Sequence, residues 1–291
     1  MKRNGKSRFI VGKKDSFRLI KNNGDKLMAL TFCSFSSGSS GNCYLIQSEK
    51  AAILVDVGIS GRKIFNSLAN ADISLDDVNA VLITHEHTDH VKSLRVVTKK
   101  MPNACAYANG GTWGSIKNLV EEEKRKVFET GLAFRINDIE VKPFLISHDA
   151  AEPVGFSFYK DEKQISILTD VGILSNDVYD EIRDADILVL EANHDVEMLR
   201  IGRYPWFLKQ RILGERGHLS NVDAAKTICR MIAEKQKHRH VLLAHLSKEN
   251  NFPEMAYQTI KNLLEERNYF LDKNICLNII DRDEMSNLYT V

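Results

Sequence analysis

The run Thr84-His85-Glu86-His87-Thr88-Asp89-His90 constrains this chain more than any other stretch. Within seven residues it offers three imidazoles and the Asp89 carboxylate. It follows directly on Ala80-Val81-Leu82-Ile83, an apolar run with the make-up of a buried strand. A rigid strand delivers whatever follows it to one end of a sheet, so His85, His87, Asp89 and His90 are expected to converge there. Neutral imidazole and carboxylate are the nitrogen and oxygen donors that suit zinc, manganese or iron. The alternative is a polar turn that binds nothing, and it would cluster these groups without a compensating partner, which is costly.

Three further positions share this context, a ligand-type side chain closing an apolar strand. They are His148 after Phe144-Leu145-Ile146-Ser147, Asp170 after Ile165-Ser166-Ile167-Leu168-Thr169, and His245 after Val241-Leu242-Leu243-Ala244. Taken singly, each reads equally well as a turn or cap residue. Taken together, they repeat the placement of His85. Asp56, closing Ile53-Leu54-Val55, is a fourth case and is expected to accept a hydrogen bond that orients a ligating imidazole.

The remaining pattern supplies sheets for these ends. Strands are expected at 29–35, 43–46, 52–55, 78–83, 104–107, 132–136, 139–146, 154–159, 164–169, 187–190, 241–244 and 275–280. Helical spacing predicts helices at 60–70, 111–120, 195–201, 205–213, 221–233 and 253–266, with another starting near Asp89. First-half strands read as mostly hairpin-connected, and helices cluster between later ones. Two mixed sheets covered outside by helices fit this order. No internal repeat or Pro-rich linker divides the chain.

Of the 291 residues, 43% are hydrophobic and 27% charged, the composition of a soluble globular protein. No apolar run approaches the roughly 18–20 residues of a membrane span. Five scattered cysteines without a Cys-x-x-Cys pair read as reduced thiols, which places the protein in the cytoplasm. Cys43 falls near the cluster by chain position, but packing is its expected role. Residues 1–27 hold nine Lys/Arg and two Asp/Glu, a net of +7 that leaves +1 − 7 = −6 elsewhere. They form no secretory signal. The expectation is a disordered basic extension over 1–27, either a nucleic-acid arm or a stretch upstream of the natural start, and one folded domain over 28–291.

Thr-His-x-His-x-Asp-His followed by strand-end His, Asp and His resembles the metallo-β-lactamase superfamily over about residues 29–280. The resemblance implies an α/β fold, an αββα sandwich with a two-metal site (Zn or Mn) at the sheet edge. His85, His87 and His148 would hold one ion. Asp89, His90 and His245 would hold the other, with Asp170 bridging. The stretches Phe35–Tyr44, Glu191-Ala192-Asn193-His194-Asp195 and Gly217-His218-Leu219-Ser220-Asn221 are similar to the bacterial YycJ/WalJ group. That similarity implies a 5′→3′ DNA exonuclease linked to DNA repair. The basic head is not typical of the group.

On a phosphodiester, Asp89 or Asp170 could orient the attacking water. His218 and His194 are candidates to protonate the leaving 3′ oxygen or to bind phosphate, or else are ordinary loop histidines. The same metal chemistry serves other esters, so the substrate must be read elsewhere. Between residues 200 and 216, Arg200, Arg203, Lys209, Arg211 and Arg216 interleave with Tyr204, Trp206 and Phe207. Cations beside aromatics suit a DNA strand. The competing reading is an amphipathic helix with its aromatics packed inward. The run 235–240 reads as a solvated turn. The Gly/Ser loop 36–42 is either an anion-binding nest or a plain hairpin loop. It is not a P-loop, and no nucleotide cofactor is expected. Competing functions are a small-molecule hydrolase, an RNA-processing nuclease and a non-catalytic module. The 245 − 170 = 75 positions from Asp170 to His245 leave no room for the large inserted domain of ribonuclease J-like proteins. The intact ligand set argues against a non-catalytic role.

Overall fold

The computed structural model describes residues 29–271 and 273–291; the expected extension 1–27 and Met28 lie outside them. In chain order, the first sheet is laid down by β1 (Thr31–Ser36), β2 (Cys43–Gln47), β3 (Ala52–Val55), α1 (Gly61–Asn70), β4 (Val78–Leu82), α2 (Thr88–Val91), α3 (Leu94–Lys100), β5 (Cys105–Ala108), α4 (Gly110–Ile116) and β6 (Arg125–Val127). The second follows with β7 (Phe134–Ile136), β8 (Ile139–Leu145), β9 (Val154–Lys160), β10 (Lys163–Leu168), α5 (Asn176–Ile182) and β11 (Ile187–Glu191). It is completed by α6 (Val196–Ile201), α7 (Trp206–Leu213), α8 (Asn221–Glu234), β12 (His240–Ala244), α9 (Pro253–Glu265) and β13 (Cys276–Ile279). The last strand, β14 (Tyr289–Thr290), returns to the first sheet and pairs with β1.

The sheet orders are β14-β1-β2-β3-β4-β5-β6 and β13-β12-β11-β10-β9-β8-β7. Each sheet is antiparallel up to one strand, β3 or β10, and parallel beyond it. The expected contrast between a hairpin half and a helical half is therefore replaced by two halves of the same build. The reason is physical: α3, with 7 residues, is too short to display a helical period, and α2 and α4, though expected near Asp89 and at 111–120, have only 4 and 7 residues and do not read as crossovers between parallel strands. The two-residue β14 and the three-residue, largely exposed β6 escaped notice for the same reason.

Alternation along the strands sorts the core into layers. Ile53, Val55, Ala80 and Leu82 face Phe156, Phe158, Ile167, Val189 and Leu242 between the sheets. Leu54 and Val81 point outward onto Ile64 and Leu68 of α1 and Leu94 and Val97 of α3. Leu188, Leu190, Val241 and Leu243 point outward onto Ile228 of α8 and Ile260 of α9. This is the expected four-layer αββα sandwich.

The pairings also fix directions. β1, β3 and β4 run the same way, as do β8, β10, β11 and β12. Their carboxyl ends share one edge, where Val154 N donates to Thr84 O (3.1 Å) and His245 N to Ser37 Oγ (2.9 Å). The run 235–240 is the solvated turn expected only in part: Lys235, Gln236 and His238 are exposed. Arg239 is fully buried and donates to the carbonyls of Arg183 and Lys235, while Lys237 pairs with Asp186 at 2.9 Å. It clamps the turn entering β11.

Candidate metal centre

The strand ends bring the predicted cluster together. His85 follows β4, and His87 caps the short α2, which carries Asp89 and His90. His148, Asp170 and His245 arrive from β8, β10 and β12. Besides the set of His85, His90 and Asp170 and that of Asp170, Glu191, His218 and His245, two triads have donor atoms within 4.8 Å of one another: His85, His87 and His148, and Asp89, His90 and His245. Asp170 lies between them. Its Oδ2 is 3.3 Å from His90 Nε2; its Oδ1 is 3.6 Å from His245 Nε2 and 3.9 Å from His148 Nε2.

Close backbone approach builds this arrangement. Gly58 packs so tightly on α2 that a Cβ there would sit 1.6 Å from Asp89 O. Asp56, Asp170 and His245 all adopt left-handed backbone, with φ of 58°, 57° and 54°. Such conformations cost about 1–3 kcal/mol each and persist where surrounding contacts impose them. Here they turn the chain sharply off each strand and aim the side chain into the site.

Three of the imidazoles, those of His90, His245 and His148, are set by a partner on the far side of the ring. His90 Nδ1 lies 2.8 Å from Asp56 Oδ2, and Asp56 also accepts from Thr84 N (3.0 Å) and Thr84 Oγ1 (2.9 Å). His245 Nδ1 lies 2.8 Å from Glu191 Oε1, and His148 Nδ1 3.3 Å from Gly217 O. These contacts leave each Nε2 facing the centre, the tautomer a metal ligand requires. Burial, followed by the charge of His90, drives the His85 pKa well below its ordinary value, and burial lowers that of His148. Burial opposes ionisation of Asp170, yet His245 and His90 hold its carboxyl well below the usual range. Neutral imidazoles and ionised carboxylates are the forms that bind cations; His90 is the exception among these groups, since burial disfavours its charge but Asp56 and Asp170 raise its pKa well above the ordinary value.

The donor set fits a divalent ion. Tetrahedral ligands about 2.0–2.1 Å from zinc stand about 3.4 Å apart, close to the separations around Asp170. His245 Nε2 and Asp170 Oδ2 are buried without any hydrogen-bond partner. Two orphaned acceptors so close together are costly unless something cationic satisfies them.

Glu191, which ends β11, escaped the sequence reading as a site residue although it obeys the same strand-end logic. Its Oε1 meets both His245 and His218 (2.9 Å), and its Oε2 accepts from Val171 N (2.9 Å) and Leu219 N (3.1 Å). Burial works against its charge, but His218 and His245 bring its pKa down to about 2. Asn42, from the Gly/Ser loop, was also missed: its Nδ2 is 3.1 Å from His90 Nε2, and its Oδ1 accepts from Gly38 N. The loop thus positions His90, and through Ser37 also His245.

The two candidate acids separate. His218 keeps 22% of its side chain exposed and sits 3.7 Å from Asp170 Oδ1. Burial disfavours its charge, but Glu191 and Asp170 raise its pKa to about 9, so it is protonated at neutral pH. His194 is 1% exposed, and burial lowers its pKa to about 4. It is buried, and neither of its ring nitrogens has a hydrogen-bond partner among the described residues.

The cationic segment is more engaged than expected. Arg211 Nε pairs with Asp149 Oδ2 at 2.5 Å, Arg216 donates to His148 O (3.1 Å), Arg200 pairs with Glu197 (2.8 Å), and the buried Lys209 donates to Arg200 O (2.7 Å). Trp206 and Phe207, by contrast, face outward, 67% and 72% exposed, while Tyr204 is half-buried. Neither sequence alternative holds whole: the aromatics are not packed inward, and most of the cations are not free.

Fold and site define a metal-dependent hydrolase on paired mixed sheets, and residues 52–245 match the family model described as the beta-lactamase superfamily domain. The chain is 39% identical over 245 residues to the exodeoxyribonuclease YycJ of Bacillus anthracis, covering 83% of this chain and 92% of that protein. It is 42% identical over 236 residues to the exodeoxyribonuclease WalJ of Streptococcus pneumoniae, covering 79% and 87%. The crystal structure of the metallo-β-lactamase fold protein YhfI from Bacillus subtilis shares the fold, with a TM-score of 0.68 over 90% of this chain and 99% of that one at 15% identity. The chain belongs to the metallo-β-lactamase superfamily, on the branch of the YycJ/WalJ exodeoxyribonucleases. That fold implies divalent metal ions, and no helix among the described residues is long and apolar enough to cross a membrane.

Proposed function

We propose that this protein is a DNA exonuclease that removes nucleotides from the 5′ end. In this reading, His85, His87 and His148 hold one divalent ion, Asp89, His90 and His245 a second, and Asp170 both. Zinc and manganese both suit the donor set. Bound ions would supply a nucleophilic oxygen at neutral pH and neutralise charge on the phosphodiester.

The protein's own groups do the rest. Asp170 and Asp89 orient the attacking water. His218, protonated through Glu191 and open to solvent, donates its proton to the leaving 3′ oxygen. Asp56 and Glu191 hold His90 and His245 with Nε2 facing inward. Arg211 and Arg216 brace the loop that carries His148.

The observation that supports DNA as substrate is the identity with two exodeoxyribonucleases across most of the chain. The test is digestion of an end-labelled, 5′-phosphorylated duplex by protein loaded with Mn²⁺ or Zn²⁺. Stepwise release of mononucleotides is expected. Metal-loaded protein that cleaves no nucleic acid would refute the reading.

A further inference from the structure

The segment from α6 to α7 bridges the two loops that carry His245 and His148. At one end, Asp195 N donates to Asn250 O (2.9 Å), and Gly202 packs against the Asn250 side chain, where a Cβ would sit 2.8 Å from Oδ1. That loop begins at His245. At the other end, Arg211 and Arg216 hold the loop after His148, and Ser147 Oγ donates to Glu215 O at 2.7 Å. The segment therefore borders the metal centre.

Its outer surface holds three of the exposed large apolar side chains, and Ile201 is the most exposed of them among the described residues. Ile201, at the end of α6, and Trp206 and Phe207, at the start of α7, are 83%, 67% and 72% exposed. Residues 200–216 hold five Lys/Arg and one Glu, a net of +4, whereas residues 28–291 carry −6 as a whole. Arg203 has no ion pair or side-chain hydrogen bond among the described residues, so its charge is open to a ligand. An exposed aromatic pair beside a free guanidinium meets both demands of an unpaired strand. Bases stack on ring faces whatever their sequence, and phosphates seek the cation.

We propose that Trp206 and Phe207, with Arg203 beside them, form a stacking platform for unpaired bases of the DNA strand being degraded. This rests on the exonuclease reading and adds to it that the strand is gripped by its bases, outside the metal centre. A duplex end would have to fray to reach the platform.

The experiment measures binding of a fluorescein-labelled phosphorothioate oligonucleotide, which resists cleavage, to the metal-loaded protein. Trp206→Ala and Phe207→Ala should each weaken binding about tenfold, with melting temperature and metal content retained. Trp206→Phe should restore most of the affinity. Replacing the bases by abasic spacers should weaken wild-type binding to the same degree and leave the alanine variants little further to lose. Equal binding by variants and wild type, or no penalty for the base-free strand, would overturn the platform. So would a wild-type dimer in sedimentation that Trp206→Ala converts to monomer, because the rings would then be covered by a second copy. Base-dependent binding without any cleavage of end-labelled DNA would support the platform while sinking the exonuclease reading.

Discussion

The two sheets orient their ligands by the same device and put it to different use. In the first sheet, Asp56 at the end of β3 fixes His90 and spends its remaining capacity on Thr84, all of it buried. In the second, Glu191 at the end of β11 fixes His245 and also His218, which solvent can reach. In the proposed reading, one carboxylate completes a ligand, and the other completes a ligand and charges an acid. The first half of the centre is thus a holder, and the second a holder joined to the proton donor.

Variants can break that division. The largest loss is expected from Asp170→Ala, which removes the group shared by both halves. Hydrolysis should fall to background and metal content should drop, while circular dichroism stays native; retained activity would refute the shared site. His218→Ala should slow DNA cleavage about 10²–10⁴-fold, but cost much less on a bis(4-nitrophenyl) ester, whose leaving group needs no proton. Equal losses on both substrates would show that His218 is not the acid. Next come the two orienting carboxylates. Asp56→Asn and Glu191→Gln should each weaken metal binding by about 10–100-fold. Excess metal should restore the rate of the first but not of the second. If both recover alike, the two sheets do not differ in role. The smallest effect belongs to Arg211→Ala. Its pair with Asp149 is largely solvent-exposed and contributes at most about 1 kcal/mol, so metal affinity should fall no more than about fivefold in a competition titration.

The same asymmetry governs what could be read from residues alone. His85, His148, Asp170, His245 and Asp56 are legible because each closes a run of apolar residues, and such a run can only be a buried strand with a defined end. Glu191 closes such a run too; it was passed over because a glutamate there has no meaning until His218 and His245 are beside it, 27 and 54 positions away. Arg211 and Arg216 advertise charge but not its use, since their partners lie 62 and 68 positions distant. The outward turn of Trp206 and Phe207 is equally silent, because α7 carries no strong apolar face to predict which way its rings point. The short strands and helices fail for want of length: a two-residue strand has no period.

β14 has a consequence for assembly. Its pairing with β1 is sealed by two further bonds, Leu30 N to Val291 O (3.1 Å) and Val291 N to Leu30 O (3.0 Å). The outer edge of β1 therefore waits, with its peptide groups unpaired, until residues 289–291 have left the ribosome. Every other described strand of both sheets can find its neighbour before then. An open edge is a template for association with other chains, and pairing across nearly the whole length of a protein is slow. Residues 289–291 thus act as a closing stitch, and removing their pairing with β1 should leave a chain that forms its metal centre yet clumps as it folds.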